Sequence, residues 1–314
     1  MQVQFETTDC LICGSEKYRP LFQAPDRFHP EAGEVFQIVR CDNCGLAYLN
    51  PRPAAASMPA FYEDSGYQPF VSTQSRLNLL DKFYCYVREH ALSHKRRLIQ
   101  KYQSPGHLLD IGCGTGEFLH EMQQHNWRVE GVEKDAAAAE FAHKAYQLKV
   151  LTENFNEINY LKKSFDVITL WHVLEHLYDP VATLRHAKEI LRDDGIILVA
   201  VPDIASFDAR FYQNYWVALD APRHLTHFEP HSFLRLCGRV GLKIVKYQQL
   251  ILDAFFNCLM SEMLINRRTN RKKIFLPASL VRAKAVALVS LIYASRFRVR
   301  SKRNGSSILY FIQK

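Results

Sequence analysis

Three groups of residues in this 314-residue chain have the types and spacing to do chemistry. The first is a pair of knuckles, Cys10-Leu11-Ile12-Cys13-Gly14 and Cys41-Asp42-Asn43-Cys44-Gly45. Two residues between thiols let both sulfurs turn toward one ion, and the following glycine permits the tight turn. Four thiolates favour tetrahedral zinc in a closed structural site. Mononuclear iron is the competing occupant, and a redox pair is the alternative for a single Cys-x-x-Cys. The second group is Asp110-Ile111-Gly112-Cys113-Gly114-Thr115-Gly116, an apolar strand running into three glycines with a helix directly after. Glycines let backbone approach a ligand closely, and a helix start offers unpaired N–H groups. The spacing is Gly-x-Gly-x-Gly, not that of a dinucleotide fingerprint, and Asp110 suits a cationic or amine-bearing ligand better than a pyrophosphate. Glu133, about 20 residues beyond the turn, stands where an acid bonds ribose hydroxyls. The third group is Pro222-Arg223-His224-Leu225-Thr226-His227. A histidine there can take a proton from a hydroxyl, or from a carbon beside a carbonyl, and Arg223 suits a phosphate or carboxylate. His224 is the first candidate base, weighed against a loop-structuring role, and His227 the second.

These groups need a scaffold, and the pattern of the chain supplies one. Strands are expected at His107–Ile111, Arg128–Glu133, Lys149–Leu151, Phe165–Leu170, Gly195–Val201, Leu242–Gln249 and Ser306–Ile312. Helices are expected at Glu117–His125, Ala136–Tyr146 and Pro180–Leu191. Strand and helix alternating at this rhythm mean an α/β fold, a doubly wound parallel sheet with helices on both faces. Residues 1–60 read as a small zinc-ribbon-like module ending in the helix-breaking Asn50-Pro51-Arg52-Pro53. Residues 61–104 read as a helical connector, with Leu77, Leu80, Phe83, Tyr84 and Val87 at helical spacing. Residues 105–314 form the α/β domain, with a helical insertion at 253–303 before the last strand.

Composition narrows the class. A chain 48% hydrophobic and 23% charged is neither disordered, nor collagen-like, nor a disulfide miniprotein. The start, MQVQFETTDC, lacks the basic and apolar regions of a secretory signal, so a cytoplasmic location is expected, with the eight cysteines as ligands or buried thiols. From Asp253 onward there are 13 Lys or Arg and two acids, while the preceding residues hold 27 basic and 30 acidic groups. Such a tail expects an anionic partner. The apolar run Ala285–Ala294 is shorter than the roughly 20 residues a bilayer requires, so the segment reads as an interfacial element on anionic lipid, a lid over a phosphorylated substrate, or a solvated hairpin.

The stretch Leu108–Leu119 closely resembles the first motif of class I S-adenosylmethionine-dependent methyltransferases. Phe165-Asp166-Val167-Ile168 with Val173-Leu174-Glu175-His176-Leu177 is similar to a later motif of that family, as is Leu191–Leu198, where Asp194 replaces a usual glycine. The resemblance covers about Ser104–Leu250. It implies a Rossmann-like methyltransferase sheet and a cofactor pocket of Asp110, Gly112, Gly114 and Glu133, with Asn154 and Phe155 beside the adenine and His172 near the methionine end. For Phe155 and His172 a purely structural place is the alternative. Glu175 and His176 are read as orienting the loop and capping a helix. The cysteine knuckles, followed by Pro51-Arg52-Pro53 and the tyrosine-bearing Phe61–Tyr67, are similar to the zinc-binding domain of some sugar and natural-product methyltransferases, which makes Tyr67 a weaker catalytic candidate. The histidine loop resembles that of sugar C-methyltransferases, with His224 at the matching base, but Pro222 and His227 depart from it. The expected activity is transfer of the methyl group of S-adenosylmethionine to a small-molecule, sugar-nucleotide or lipid-linked acceptor. An RNA methyltransferase and a non-catalytic cofactor- or membrane-binding scaffold are the rivals, and nucleic acid is the less expected partner because the basic segment is so apolar.

Overall fold

Alternating short apolar runs and helical patterns build a sheet close to the one expected. The computed structural model describes residues 3–29, 33–63, 90–268, 276–295 and 305–314. Packing divides the chain into two units. One holds Met1–Gly66, Leu174–Val181 and Ala200–Tyr310; the other holds Tyr67–Val173, Ala182–Val199 and Phe311–Lys314.

In chain order the N-terminal strands are β1 (Phe5–Glu6), β2 (Tyr18–Pro25), β3 (Val35–Cys41), β4 (Ala47–Leu49) and β5 (Arg52–Pro53), followed by the short helix α1 (Ala60–Glu63). Helix α2 covers 90–99. The α/β part then runs β6 (His107–Ile111), α3 (Glu117–Gln123), β7 (Arg128–Val132), α4 (Ala136–Tyr146), β8 (Val150–Leu151), β9 (Phe165–Trp171), α5 (Pro180–Ile190) and β10 (Leu191–Pro202). After it come α6 (Phe207–Tyr212), β11 (Thr226–His227), α7 (Pro230–Val240), β12 (Lys243–Gln249), α8 (Ile251–Arg268), α9 (Leu276–Ser295) and β13 (Ser307–Gln313). Most bounds fall within a residue or two of those read from the pattern. The largest shift is β10, which begins at the fully buried Leu191 instead of Gly195.

The seven-stranded sheet has the order β12-β13-β10-β9-β6-β7-β8. β6 is central and parallel to both β7 and β9, and its register sets Asp110 beside Gly131 on one side and Thr169 on the other. Leu108, Leu109, Val167, Ile168 and Leu170 are buried, as a strand covered on both faces requires. Full burial of each such side chain stabilises by roughly 1.5–3 kcal/mol. Helix α4 starts at Asp135, whose carboxylate accepts from the backbone N–H groups of Ala137 and Ala138, a cap that contributes about 1 kcal/mol.

The N-terminal strands form a second sheet of order β11-β4-β3-β2, so the edge of β4 is covered by β11, which comes from residues far along the chain. Thr226 pairs with Tyr48 and His227 with Ala47, antiparallel. A core of Phe36, Ile38, Leu49, Tyr212, Trp216, Leu219 and Leu225 joins these strands to residues 200–287 within the first unit. The cysteine-bearing strands therefore pack with 200–310 as one body, through the pairing of β4 with β11.

Helices α8 and α9 follow β12 and precede β13 in the chain. α9 buries a mixed face, Ser279, Ala283, Val286, Ala287 and Ser290, and leaves Leu280, Val281, Leu288 and Val289 exposed. The buried serines have partners. Ser290 donates to the buried Asp208 at 2.9 Å, and Asn266 donates to Ser279 at 3.0 Å. The charge of Glu262, fully buried on α8, is met by Arg282 of α9 at 2.6 Å. No helix among the described residues is long and apolar enough to cross a membrane.

Candidate functional site

The glycine turn links the end of β6 to α3. Gly112, Gly114 and Gly116 all have positive φ, at 71°, 54° and 81°, where a side chain would be strained. Their surroundings differ. A Cβ on Gly112 would sit 2.4 Å from the Val173 side chain, and one on Gly116 would sit 2.6 Å from Leu148. At Gly114 nothing lies within 4 Å, so the turn is tight against the protein at its ends and open in its middle. The Gly114 N–H donates to Glu133 Oε2 at 2.8 Å, and Asp135 N–H donates to Glu133 Oε1 at 2.9 Å. Glu133 is thereby fixed at the tip of β7, beside the open glycine.

Asp110 is buried, and its carboxylate accepts from the Thr169 hydroxyl at 2.5 Å. Burial pushes its pKa up to about 7, partly offset by that hydrogen bond and by the Lys95 charge, while Glu133 pushes it further up. Lys95, on α2, holds its ammonium 4.2 Å from the Trp171 ring centre and 5.8 Å from that of Phe118, a cation–π arrangement. Sequence reading did not single out Lys95 or Thr169; the register of Thr169 against Asp110 was the one signal available for either. Asn154 uses its amide to start the 3-10 turn Phe155–Glu157, accepting from Asn156 N–H at 3.3 Å. Phe155 is buried against His186, with ring centres 4.8 Å apart. His172 adopts the left-handed conformation just past β9, with φ 58°.

The histidine loop belongs to the first unit. Arg223 proves to be internal wiring. Its guanidinium is fully buried, donates to Asp26 at 2.6 Å and to Asp220 at 2.8 Å, and lies 4.6 Å from the Phe28 ring centre. The expectation that Arg223 takes a substrate phosphate or carboxylate is corrected here, since no face of it reaches solvent and two carboxylates already occupy it. His224, next along, is also buried and approaches His176 edge-on, with ring centres 4.5 Å apart. The 3-10 turn Leu174–His176 is held on β11, because Leu225 N–H donates to the Glu175 carbonyl at 2.8 Å. That tie brings Glu175 and His176 to His224, and one ligating atom from each lies within 4.8 Å of the others.

Both ring orientations are anchored. His224 Nδ1 lies 2.9 Å from the Ala218 carbonyl, and His176 Nδ1 lies 3.2 Å from the Arg223 carbonyl and 3.1 Å from the Tyr62 hydroxyl. A carbonyl oxygen only accepts, so each Nδ1 carries the proton and each Nε2 the lone pair. Burial holds His176 below the usual histidine range and His224 well below it, with neighbouring His176, His227 and Arg27 adding to the effect on His224. His227, in β11, is pushed down to about 3 by burial, against an opposing pull from Asp220. Tyr67 lies outside the described residues.

At the cysteine knuckles, Cys10 and Cys44 sulfurs are 3.3 Å apart and Cys13 and Cys41 sulfurs 3.5 Å apart, with all four within 4.8 Å of one another. Sulfurs at about 2.3 Å from a tetrahedral ion would be separated by about 3.8 Å, so this donor set fits zinc. Gly14 and Gly45 take φ of 70° and 79°, and their N–H groups donate to the carbonyls of Cys10 and Cys41, closing each knuckle.

Comparison with known proteins places this geometry. Residues 85–247, just over half of the chain, match the family described as "Methyltransferase domain". The chain belongs to that family. It is similar to the ubiquinone biosynthesis O-methyltransferase of Nitrosospira multiformis, at 32% identity over 99 residues, or 28% of this chain and 39% of that protein. It is also similar to the ubiquinone biosynthesis O-methyltransferase of Idiomarina loihiensis, at 26% identity over 172 residues, or 49% of this chain and 69% of that protein. The first of these matches spans well under half of the relative's length. A solved structure from Galdieria sulphuraria, proposed to be a sarcosine dimethylglycine methyltransferase, superposes with a TM-score of 0.50 at 11% identity, covering 79% of this chain and 91% of that one. That likeness concerns the fold: a methyltransferase sheet, with its glycine turn at the carboxyl end of the central strand, where parallel sheets open toward ligands.

Proposed function

We propose that this chain catalyses S-adenosylmethionine-dependent methylation of a hydroxyl on a small-molecule acceptor. One observation carries the reading: a buried carboxyl, Asp110, and a backbone-held carboxylate, Glu133, flank a glycine turn that is open only at Gly114. This cradle suits a ligand with a cationic end and a ribose, and S-adenosylmethionine supplies an electrophilic methyl group when bound. Gly112 and Gly114 let the backbone come close, Glu133 meets the ribose, and Asp110 answers the positive charge. Asn154 and Phe155 border the adenine and His172 the methionine end. The names of the two O-methyltransferase relatives support an oxygen acceptor.

A sulfonium methyl needs alignment more than activation, but a neutral hydroxyl must lose its proton as the new C–O bond forms. In this proposal the proton leaves at the cluster of His224, His176 and Glu175, with His224 the first candidate base. Zinc at Cys10, Cys13, Cys41 and Cys44 is structural, because a closed set of four thiolates leaves no position for a substrate. The exposed apolar face of α9, set in a segment with 13 basic residues and two acids, supports contact with an anionic lipid surface and thus a lipid-linked acceptor. Calorimetric titration of S-adenosylmethionine into the native chain and into Asp110→Ala, Glu133→Ala tests the donor site. An acceptor screen, opening with sugar nucleotides and polyprenyl-linked phenols, then tests the acceptor.

A further inference from the structure

Glu175, His176 and His224 come from two segments almost fifty residues apart and are joined by the backbone bond from Leu225 to Glu175. They offer one carboxylate and two imidazoles whose ligating atoms lie within 4.8 Å of one another. Two histidines and one carboxylate are a donor set for divalent first-row cations, and a site of three protein ligands keeps positions open for an exogenous oxygen. Both rings also carry what metal-binding imidazoles need behind them. His224 Nδ1 points at the Ala218 carbonyl and His176 Nδ1 at the Arg223 carbonyl, which fixes the tautomer and leaves the lone pair on Nε2; His224 Nε2 stands 3.9 Å from Asp220 Oδ2. Asp220 also faces the cluster, and it is shared with Arg223 and with Arg27 at 3.0 Å, while Arg223 pairs with Asp26 as well. Glu175 is almost completely buried.

We infer that Glu175, His176 and His224 form a second metal site, distinct from the four cysteines, that takes a divalent cation such as Zn²⁺ or Co²⁺. With ligands at about 2.0–2.2 Å the donor atoms stand about 3.3 Å apart, so binding draws the three side chains inward by up to about 1.5 Å. The consequence for catalysis rests on the function proposed above. An acceptor hydroxyl entering an open position on the cation has its pKa lowered and gives its proton to water. His224 then acts as a ligand, and deprotonation at the cluster proceeds through the metal.

The test is a metal count on the full chain, loaded with Zn²⁺, desalted and analysed for metal per protein. Two per chain are expected. Glu175→Gln and His224→Ala should each hold one, and Cys13→Ser should lose the other one. Co²⁺ added to chain already holding one zinc should give visible bands without the sulfur-to-cobalt charge-transfer band that thiolate ligation produces. One zinc per native chain, removed by Cys13→Ser and untouched by Glu175→Gln, would overturn the inference. S-adenosylmethionine titration of the same samples separates the two proposals. Cofactor binding with a single zinc sinks the second metal site alone, whereas two zincs without cofactor binding sink the methyltransferase reading alone. Retained cofactor binding in Glu175→Gln and His224→Ala also shows that those variants are folded.

Discussion

The glycine turn and the histidine cluster do their work in opposite ways. The turn is mostly local: Asp110 to Gly116 are consecutive, and Glu133 and Thr169 are delivered by the two neighbouring strands in register. It combines two carboxyls, Asp110 and Glu133, with backbone set by φ values that only glycine adopts without strain. The cluster is non-local and made entirely of side chains, from the turn after β9 and the loop before β11, and it is anchored by strands from the N-terminus. A backbone site tolerates little change in residue type, whereas a side-chain site tolerates backbone variation as long as the distant segments meet. In the proposed function, donor recognition falls to the site built from consecutive residues, and acceptor chemistry to the one assembled from distant segments.

That contrast yields ordered predictions. The largest effect belongs to His224→Ala, which should lower the methyl-transfer rate about 10²–10⁴-fold while leaving the S-adenosylmethionine Kd within about twofold. Parallel losses of rate and cofactor affinity would erase the distinction between the two regions. Next is Gly112→Ala, which forces a Cβ to 2.4 Å from Val173 at a φ of 71°. Cofactor affinity should fall by about 100-fold or more, with the zinc content of the cysteine site unchanged, as calorimetry and metal analysis would read.

A smaller effect concerns pH. Asp110 has a carboxyl at about 7 in the folded chain, raised from 3.8 by burial. A raised acid pKa means that the folded state binds the proton more tightly than the unfolded one, so this group makes the ligand-free protein less stable as pH rises from about 4 through 7. Binding of a cationic donor favours the ionised carboxylate and runs the other way. The affinity for S-adenosylmethionine should improve on going from pH 6 to pH 8, approaching tenfold per unit below 7, with proton release on binding. Asp110→Asn should flatten this dependence, which titration in buffers of different ionisation enthalpy would reveal. The smallest effect is at α9. Val281→Asp with Leu288→Asp should reduce flotation with vesicles rich in anionic lipid several-fold, without changing cofactor binding, since both side chains are exposed.

The same contrast explains what was legible in the sequence. The strands from β6 to β9, helix α4 and the acid at Glu133 follow from local periodicity and turn chemistry, which a single stretch of sequence contains. The cysteine knuckles were equally plain, because their spacing already implied that the four sulfurs meet, as they do within 4.8 Å. Arg223 looked like a free anion-binding residue because Asp26, its partner, lies 197 positions away. Glu175 and His176 read as loop and capping residues, since nothing local shows that Leu225 ties them to His224. The buried serines of α9 were hidden for a similar reason: their hydrogen-bond partners, Asp208 and Asn266, belong to other helices.

The central claim is that the Asp110–Glu133 cradle binds S-adenosylmethionine, and calorimetric titration of the folded, zinc-loaded chain tests it most directly. Saturable one-to-one binding, abolished in the Asp110→Ala, Glu133→Ala variant and retained in His224→Ala, is the predicted result. No heat of binding in the native chain, or binding that survives loss of both acids, would contradict it.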